Sequence, residues 1–132
     1  MKLSRYRIRY MLSVPHIESR KPHVWLHGCV KTPPFTKQGR VEAGILLGLL
    51  QAGKTLSMPH SRPLPAIGPR CAELRIRDAQ HNWRIVYRID QDAVIVVDVF
   101  AKKTQQLSNE IIRQCRQRLR DYDKASRKED AR

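Results

Sequence analysis

Apolar and polar side chains alternate through the second half of the chain in a pattern that predicts three consecutive strands. Apolar residues occupy every second position in residues 71–77, and the same period of two continues in residues 82–89. Residues 93–100 are almost all β-branched or aromatic, which is typical of a central strand buried on both faces. Short polar segments separate these runs, so we predict an antiparallel meander.

Two other segments show the spacing of three to four residues that is typical of amphipathic helices. The first covers residues 37–52, with Thr36 as its expected N-cap and Gly53 just past its end. The second is expected to begin after Ser108 and to fray in the charged tail beyond Asp123. The apolar face predicted for the first helix consists of Val41, Ile45, Leu46, Leu49 and Leu50.

A further strand at residues 24–30 and a proline-rich loop at residues 54–70 complete the predicted topology. The order of elements predicts an α+β fold, in which helices pack on a small antiparallel sheet. With 132 residues the chain is expected to form one domain, spanning residues 22–125. A basic N-terminal extension over residues 1–21, either disordered or an arm that touches RNA, precedes it. A charged tail over residues 126–132 follows.

The charge of the chain narrows the class of partner. Lys and Arg number 26 against 12 Asp and Glu, which gives a net charge of +14. Such an excess favours a polyanionic partner over mere solubility, because a small domain with this charge repels itself. No apolar run approaches the roughly 18 residues that span a bilayer, and the first residues lack the apolar core of a secretion signal. We therefore expect a cytoplasmic protein with no membrane partner.

Several common kinds of site are not indicated. Cys29, Cys71 and Cys115 are odd in number and widely spaced, which argues against a disulfide framework or a zinc site. The sequence contains no P-loop, no GxGxxG and no GxSxG motif, and no pair of carboxylates suited to metal or glycoside chemistry. We expect neither a metal nor another cofactor.

The predicted hairpin formed by the first two strands of the meander concentrates arginine on one face. A four-residue turn places Arg75 directly opposite Arg84, and Glu73, Arg77 and Arg88 share that face. Like charges that face each other across a sheet are destabilising, so Glu73, solvent or an anionic ligand must compensate. A phosphate between two arginine forks fits this arrangement best; the alternative is a solvated polar face.

Residues outside the hairpin add candidates for the same chemistry. Lys102 and Lys103 directly follow the buried strand and should lie near the arginine face, although a lysine pair at a strand end is commonly only solubilising. The long loop contributes His60, a possible acid or base near neutral pH, or simply a loop residue. Arg62 and Arg70 in this loop, and Arg77 and Arg88 on the hairpin, are candidates for contacts with RNA.

Six short stretches form an ordered set within residues 24–125, a region that covers about three quarters of the chain. These stretches are WLHG (25–28), VKTPPF (30–35), SRPL (61–64), ELRI (73–76), WRIVY (83–87) and FAKKTQ (100–105). Together they resemble the RelE/ParE superfamily of type II toxin–antitoxin toxins, in its HigB-like, phage-derived branch. The N-terminal extension falls outside this resemblance.

The resemblance implies a ribosome-dependent mRNA endonuclease that cuts without a metal. In such toxins the 2′-hydroxyl of the RNA attacks the neighbouring phosphate while basic side chains stabilise the developing charge. By the same resemblance, Arg84 matches a transition-state arginine, Lys103 a second catalytic cation and Arg75 an adjacent position that contacts RNA. Tyr122 is a candidate for an aromatic residue that assists near the C-terminus. His60, Lys102 or the ribosome itself would supply the base.

The partners implied by the resemblance are mRNA, the ribosome and a cognate antitoxin. We expect the antitoxin to be a helix-turn-helix protein encoded next to the toxin. It would block the toxin by masking the arginine face or by preventing entry to the ribosome. Two other functions stay open: a ParE-like toxin that acts on gyrase, against which the basic residues argue, and a nucleic-acid-binding protein without activity.

Overall fold

The computed structural model describes residues 20–27, 34–79, 81–102 and 106–130. Predictions for residues 1–19, for the end of the first strand, for Cys29 and for Lys103 lie outside these ranges. The described residues form five strands and two helices. In chain order these are β1 (His23–Trp25), α1 (Lys37–Gln51), β2 (Ser61–Pro63), β3 (Cys71–Arg77), β4 (Asn82–Ile89), β5 (Val94–Lys102) and α2 (Asn109–Asp130).

The strands form one sheet in the order β1-β5-β4-β3-β2, in which only the β1–β5 pair is parallel. The α+β class and the antiparallel meander are therefore confirmed. Arg75 lies directly opposite Arg84, as the length of the turn predicts. One prediction was incomplete: the segment 54–70 contains the edge strand β2. This strand has only three residues and ends at Pro63, so it is too short to show a period.

A helix packs on each face of the sheet. One cluster buries Leu47 of α1 against Leu74 and Ile85, and the other buries Cys115 of α2 against Val86. The central strand β5 is consequently buried on both faces along its first half, as its sequence predicts. No helix among the described residues is long and apolar enough to cross a membrane.

The predicted apolar face of α1 is wrong in part. Val41, Ile45 and Leu49 point away from the sheet, and the first two are 55% and 59% exposed. Apolar residues cover so much of this helix that periodicity alone cannot select the buried side. The side that contains Ala43, which is 0% exposed, is the one packed against the sheet. The buried apolar residues are Ala43, Leu46, Leu47 and Leu50.

The N-terminus of α1 is bonded to the β3–β4 turn. Thr36 caps the helix as predicted, since its Oγ1 accepts a hydrogen bond from the Gly39 nitrogen at 3.1 Å. The Asp78 carboxylate accepts hydrogen bonds from both the backbone nitrogen and the hydroxyl of Thr36. These two bonds lower the pKa of Asp78. The cap therefore fixes the helix to the hairpin that carries the paired arginines.

The close approach of Asp78 requires glycine at position 39. A Cβ added to Gly39 would lie 2.7 Å from Asp78 Oδ2, whereas a Cβ at Gly44 would meet nothing within 4 Å. We expect Gly39→Ala to lower the free energy of unfolding by about 1–3 kcal/mol through this clash. Gly44→Ala, the matched control, should raise it by about 0.5–1 kcal/mol. Urea denaturation measures both, and equal stabilities of the two variants would contradict the clash.

Helix α2 begins where the sequence predicts and ends later. Ser108 Oγ accepts a hydrogen bond from the Ile111 nitrogen at 3.2 Å and so caps the helix. The expected fraying beyond Asp123 is wrong, because the helix continues to Asp130. Arg127 and Lys128 lie in its last turn, where positive charge is favourable to the helix dipole.

Candidate functional site

The polar face of the β3–β4 hairpin is covered by α2 at one end only. Arg118 of α2 pairs with Asp98 at 3.2 Å, and Asp123 pairs with Arg88, which anchors the helix over β5 and over one end of β4. At the other end, Arg75 and Arg84 line an open pocket that contains no residue of α2. The docking of α2 thus divides a continuous row of arginines into a covered part and an accessible part.

A buried carboxylate lies at the centre of the accessible part. Glu73 is 0% exposed, and its Oε2 lies 3.4 Å from Arg84 Nε and 4.0 Å from Lys102 Nζ. The side chains of Arg84 and Lys102 are only 9% and 6% exposed. Glu73 therefore offsets the repulsion between the arginines, which is one of the compensations that the sequence left open.

Two cations pair with this carboxylate, and two more occupy neighbouring register positions of the sheet. Arg62 of β2 lies directly opposite Glu73, and Arg75 lies directly opposite Arg84. We call Arg62, Arg75, Arg84 and Lys102, together with Glu73, the basic cradle. Its charges are only partly neutralised from within, so an additional anion would be bound favourably.

The pKa values of two cradle residues, Arg84 and Lys102, are lowered, as an excess of positive charge at a buried site predicts. Burial lowers the pKa of Arg84; Glu73 acts in the opposite direction, and the charges of Arg75 and Arg62 lower it further. Burial likewise lowers the pKa of Lys102, with Glu73 again opposing and Arg84 adding to the shift. Both cations are therefore less stable in their charged form than in water. A bound phosphate would restore that stability.

Two open pockets adjoin the cradle. One has a volume of about 360 Å³ and brings Arg75 and Arg84 together with His60 and Arg77. The other, of about 340 Å³, is lined by Glu73, Arg62 and Lys102 and by the first residues of α2. The ion pair between Arg84 and Glu73 connects the two pockets. The site can thus hold a phosphate at the cradle, with space on both sides for the chain that carries it.

Most of the predicted site residues lie at or next to the cradle. The Arg75 nitrogen donates to the His60 carbonyl at 2.8 Å, which places the loop before β2 against β3. His60 and Arg77 are exposed at the first pocket, and Arg62 is exposed at the second. Lys103 directly follows the described part of β5.

Arg88 belongs to the structural part of the arginine row. It is buried and donates to Asp90 at 2.7 and 2.8 Å and to Asp123 at 2.8 and 3.1 Å. Burial alone would lower the pKa of Arg88, but these hydrogen bonds outweigh burial and raise it. The donors of Arg88 thus fasten α2 to the sheet, and its contact with RNA stays a prediction.

Arg70 and Tyr122 lie at the same end of the sheet as Arg88. Arg70 donates to the Ile89 carbonyl at 3.0 Å and pairs with Asp90. The Tyr122 ring lies 5.9 Å from the Arg88 guanidinium carbon. Four residues of strand, about 13 Å, separate this end from Arg84. Both residues therefore lie outside the cradle, and the RNA contact of Arg70 and the acid or base role of Tyr122 stay predictions.

The central position of Glu73 is the feature that sequence reasoning underestimated. From the sequence, Glu73 was only one of three possible ways to compensate the repulsion between Arg75 and Arg84. Its place opposite Arg62 depends on β2, which is too short to predict. Among the residues that the structure describes, no three His, Cys, Asp or Glu side chains are grouped so that they could hold a metal ion.

Comparison with known families gives an independent result. The chain matches the family described as "Phage derived protein Gp49-like (DUF891)" over residues 33–120, which include α1, the strands β2 to β5 and most of α2. Searches among curated proteins and among solved structures found no significant match. Because the match covers two thirds of the 132 residues, the chain belongs to the Gp49-like phage-derived family, which is part of the RelE/HigB-type toxin superfamily.

Proposed function

We propose that this protein is the toxin of a type II toxin–antitoxin system and a ribosome-dependent mRNA endonuclease of the HigB kind. The observation that carries the proposal is the basic cradle, in which Arg84 and Lys102 pair with one buried carboxylate and Arg62 and Arg75 lie at neighbouring register positions, next to two open pockets. Its partners would be the ribosome, translated mRNA and a cognate helix-turn-helix antitoxin. The family membership makes an antitoxin partner plausible, and the net charge of +14 suits a nucleic-acid substrate.

The proposed reaction needs only the RNA and basic side chains. The 2′-hydroxyl oxygen bonds to the adjacent phosphorus while the bond to the 5′ oxygen breaks, leaving a 2′,3′-cyclic phosphate and a 5′-hydroxyl. Negative charge grows on the phosphate oxygens in the transition state, where Arg84 and Arg75 would stabilise it. Glu73 is too deeply buried to touch the substrate, so it acts as a positioning residue for Arg84.

Two protons must move during this reaction. One leaves the attacking hydroxyl and one is delivered to the departing 5′ oxygen. His60 is exposed in the pocket that Arg84 also lines, and we propose its imidazole as the group that exchanges these protons. Lys102 and the neighbouring Lys103 are proposed as cations that stabilise charge, since a carboxylate faces Lys102.

Induced expression provides the direct test of this function. We expect growth arrest together with cuts in a translated message, mapped by primer extension, and no cuts in the same message without its start codon. The variant Arg70→Ala is the matched control, since Arg70 lies outside the cradle, and it should cut normally. Arrest with intact message would overturn the nuclease assignment and would favour a toxin that acts on gyrase.

Lys102 should make cleavage sensitive to alkaline pH. Its pKa is lowered, so its charge is lost at a lower pH than that of an ordinary lysine. We expect the rate to fall as the pH rises through that pKa, and Lys102→Arg to move the fall to higher pH. Lys102→Gln should lose about 10²-fold at neutral pH.

Single-turnover cleavage between pH 7 and 9.5 distinguishes the possible roles of Lys102. If the cleavage rate of Lys102→Arg falls at the same alkaline pH as that of the wild type, a group other than Lys102 causes the fall. An inactive Lys102→Arg at every pH would mean that Lys102 exchanges a proton rather than supplying charge.

A further inference from the structure

The side of α1 that faces away from the sheet exposes apolar side chains in a chain that is otherwise rich in charge. Val41 and Ile45 are 55% and 59% exposed, and Leu49 follows one turn later at 37%. Because these residues are four positions apart, they form one row along the helix. We call this row, together with Gly44 and Gly48 beside it, the outer face of α1. The last two turns of α1 carry no charged side chain, so nothing interrupts this face.

The two glycines of the outer face are not required by packing within the described chain. A Cβ added to Gly44 or to Gly48 would meet nothing within 4 Å. Glycine nevertheless weakens a helix interior relative to alanine, and no described contact offsets that loss. Glycines one turn apart let a second helix approach closely, because no side chain holds the two backbones apart. The outer face therefore has what a packed helix needs, namely two small positions flanked by large apolar side chains.

Basic side chains lie at both ends of the outer face. Lys37 precedes Val41 by one turn of the helix, Arg40 lies beside it, and Lys54 follows the other end. All three cations are exposed, and none of them forms an ion pair with a carboxylate in the part of the chain that the structure describes. The outer face is thus complementary to a helix that is apolar in its middle and acidic at its ends.

The same charges argue against a second copy of this chain as the occupant. In an antiparallel pair of α1 helices, Lys37 of one copy would face Lys54 of the other, and in a parallel pair each lysine would face its own counterpart. Both arrangements bring like charges together between molecules that each carry +14. A lipid surface fits less well than a helix, because the outer face has no aromatic side chain and its two glycines add no apolar area for insertion.

We propose that the outer face of α1 docks an amphipathic helix of a partner protein, whose small residues meet the two glycines and whose carboxylates meet the basic ends. The identity of this partner as the antitoxin rests on the proposed function, whereas the docking does not. Helix α1 packs on the Leu74 side of the sheet, and Glu73 and Arg84 lie on the other side. A helix docked on α1 leaves these two residues uncovered, which favours exclusion from the ribosome over masking of the arginines.

Binding of a synthetic peptide to the full chain tests the proposal. The acidic peptide has about 16 residues, enough to cover the outer face, with leucine and alanine along one side and two glutamates at each end. A control peptide carries lysine in place of every glutamate. The protein variants are Ile45→Glu and Gly44→Leu, with Gln91→Glu as the control that adds a negative charge at an exposed position of the β4–β5 turn. Fluorescence anisotropy of the labelled peptides gives each Kd.

We expect the acidic peptide to bind the wild type and Gln91→Glu equally, and Ile45→Glu at least about tenfold more weakly, because a charge would be buried against apolar side chains. Gly44→Leu should also bind about tenfold more weakly, although it adds apolar area, since its side chain holds the helices apart. Tighter binding by Gly44→Leu would show an apolar patch without a preferred shape. That result, equal binding of the lysine peptide, or no binding of the acidic peptide to the wild type would each overturn the proposal.

Sedimentation of the protein alone and with vesicles identifies the other occupants. A wild-type dimer that Ile45→Glu dissociates would assign the outer face to a second copy of the chain. Binding to vesicles of anionic phospholipid that Ile45→Glu abolishes would assign it to a lipid surface. Either result contradicts the docking of a partner helix.

Cleavage on ribosomes separates this inference from the proposed function. Ile45→Glu should cut translated mRNA like the wild type, because the outer face lies on the side of the sheet away from Arg84. If the wild-type protein cuts no message, the proposed function fails while the peptide measurement still decides the docking. If the wild type cuts and the acidic peptide does not bind, the docking proposal alone fails.

Discussion

Cleavage of translated mRNA is expected to fall by about 10²–10³-fold when Arg84 loses its charge, because a single donor to a developing oxyanion typically contributes that much. Because Arg84 lies on the face opposite the Ile85 core, Arg84→Ala leaves no cavity in that core. However, Arg84 Nε lies 3.4 Å from an oxygen of the fully buried Glu73, so the two residues cannot be substituted independently. Removal of Arg84 alone would leave a buried carboxylate with only Lys102 nearby and would destabilise the protein.

The informative comparison is therefore between Glu73→Gln and the double variant Glu73→Gln/Arg84→Gln. The single variant keeps the Arg84 cation and should stay within about tenfold of the wild type. Both variants leave Lys102 without its carboxylate partner, so the difference in rate between them reports on the Arg84 guanidinium. Single-turnover cleavage and thermal unfolding of both proteins provide the measurement. A double variant that cuts within threefold of Glu73→Gln would exclude Arg84 from the chemistry.

Substitution of Arg88 is expected to affect stability and not the chemistry. Arg88→Ala removes hydrogen bonds to Asp90 and Asp123 and leaves those two carboxylates next to each other. We expect a loss of about 3 kcal/mol in the free energy of unfolding, at the low end for breaking a buried ion pair, because Asp123 is partly exposed. Urea denaturation measures this loss.

Arg70→Ala is the matched control for Arg88. Arg70 also pairs with Asp90, but its side chain is exposed, so its removal should cost less than about 1 kcal/mol. Cleavage per folded molecule should be unchanged in both variants. Normal stability of Arg88→Ala would contradict its role in fastening α2. A 10²-fold loss of cleavage by the folded Arg88→Ala variant would show that Arg88 takes part in the cleavage reaction.

Local patterns in the sequence determine the hairpin that carries the site. A four-residue turn and a period of two are sufficient to place Arg75 opposite Arg84 and to turn both away from the Leu74 and Ile85 face. Thr36 and Ser108 predict both helix starts for the same reason, since each interacts with a residue only three positions ahead. Such features depend on residues that are close together in the chain, so they can be predicted directly from the sequence.

Features that depend on distant partners became visible only in the folded protein. The α1 residues Val41 and Ile45 are as apolar as those that are buried, and only the fit against the sheet decides which side is covered. Strand β2 pairs with β3 over three residues, a signal too short to read, yet this pairing places Arg62 opposite Glu73.

Arg84 and Arg88 show the difference most clearly. They are the same residue type on the same face of one strand, and the sequence assigns them to one surface. The fold brings Asp123, which is 35 residues away along the chain, to Arg88, while Arg84 keeps one edge toward an open pocket. The sequence determined which face carries the arginines. Arg84 and Arg88 are similarly buried and each lines an open pocket. The docking of α2, set by apolar packing on the sheet, decided that the donors of Arg88 bond to Asp123 and fasten the helix, whereas Arg84 has Glu73 as its ion-pair partner.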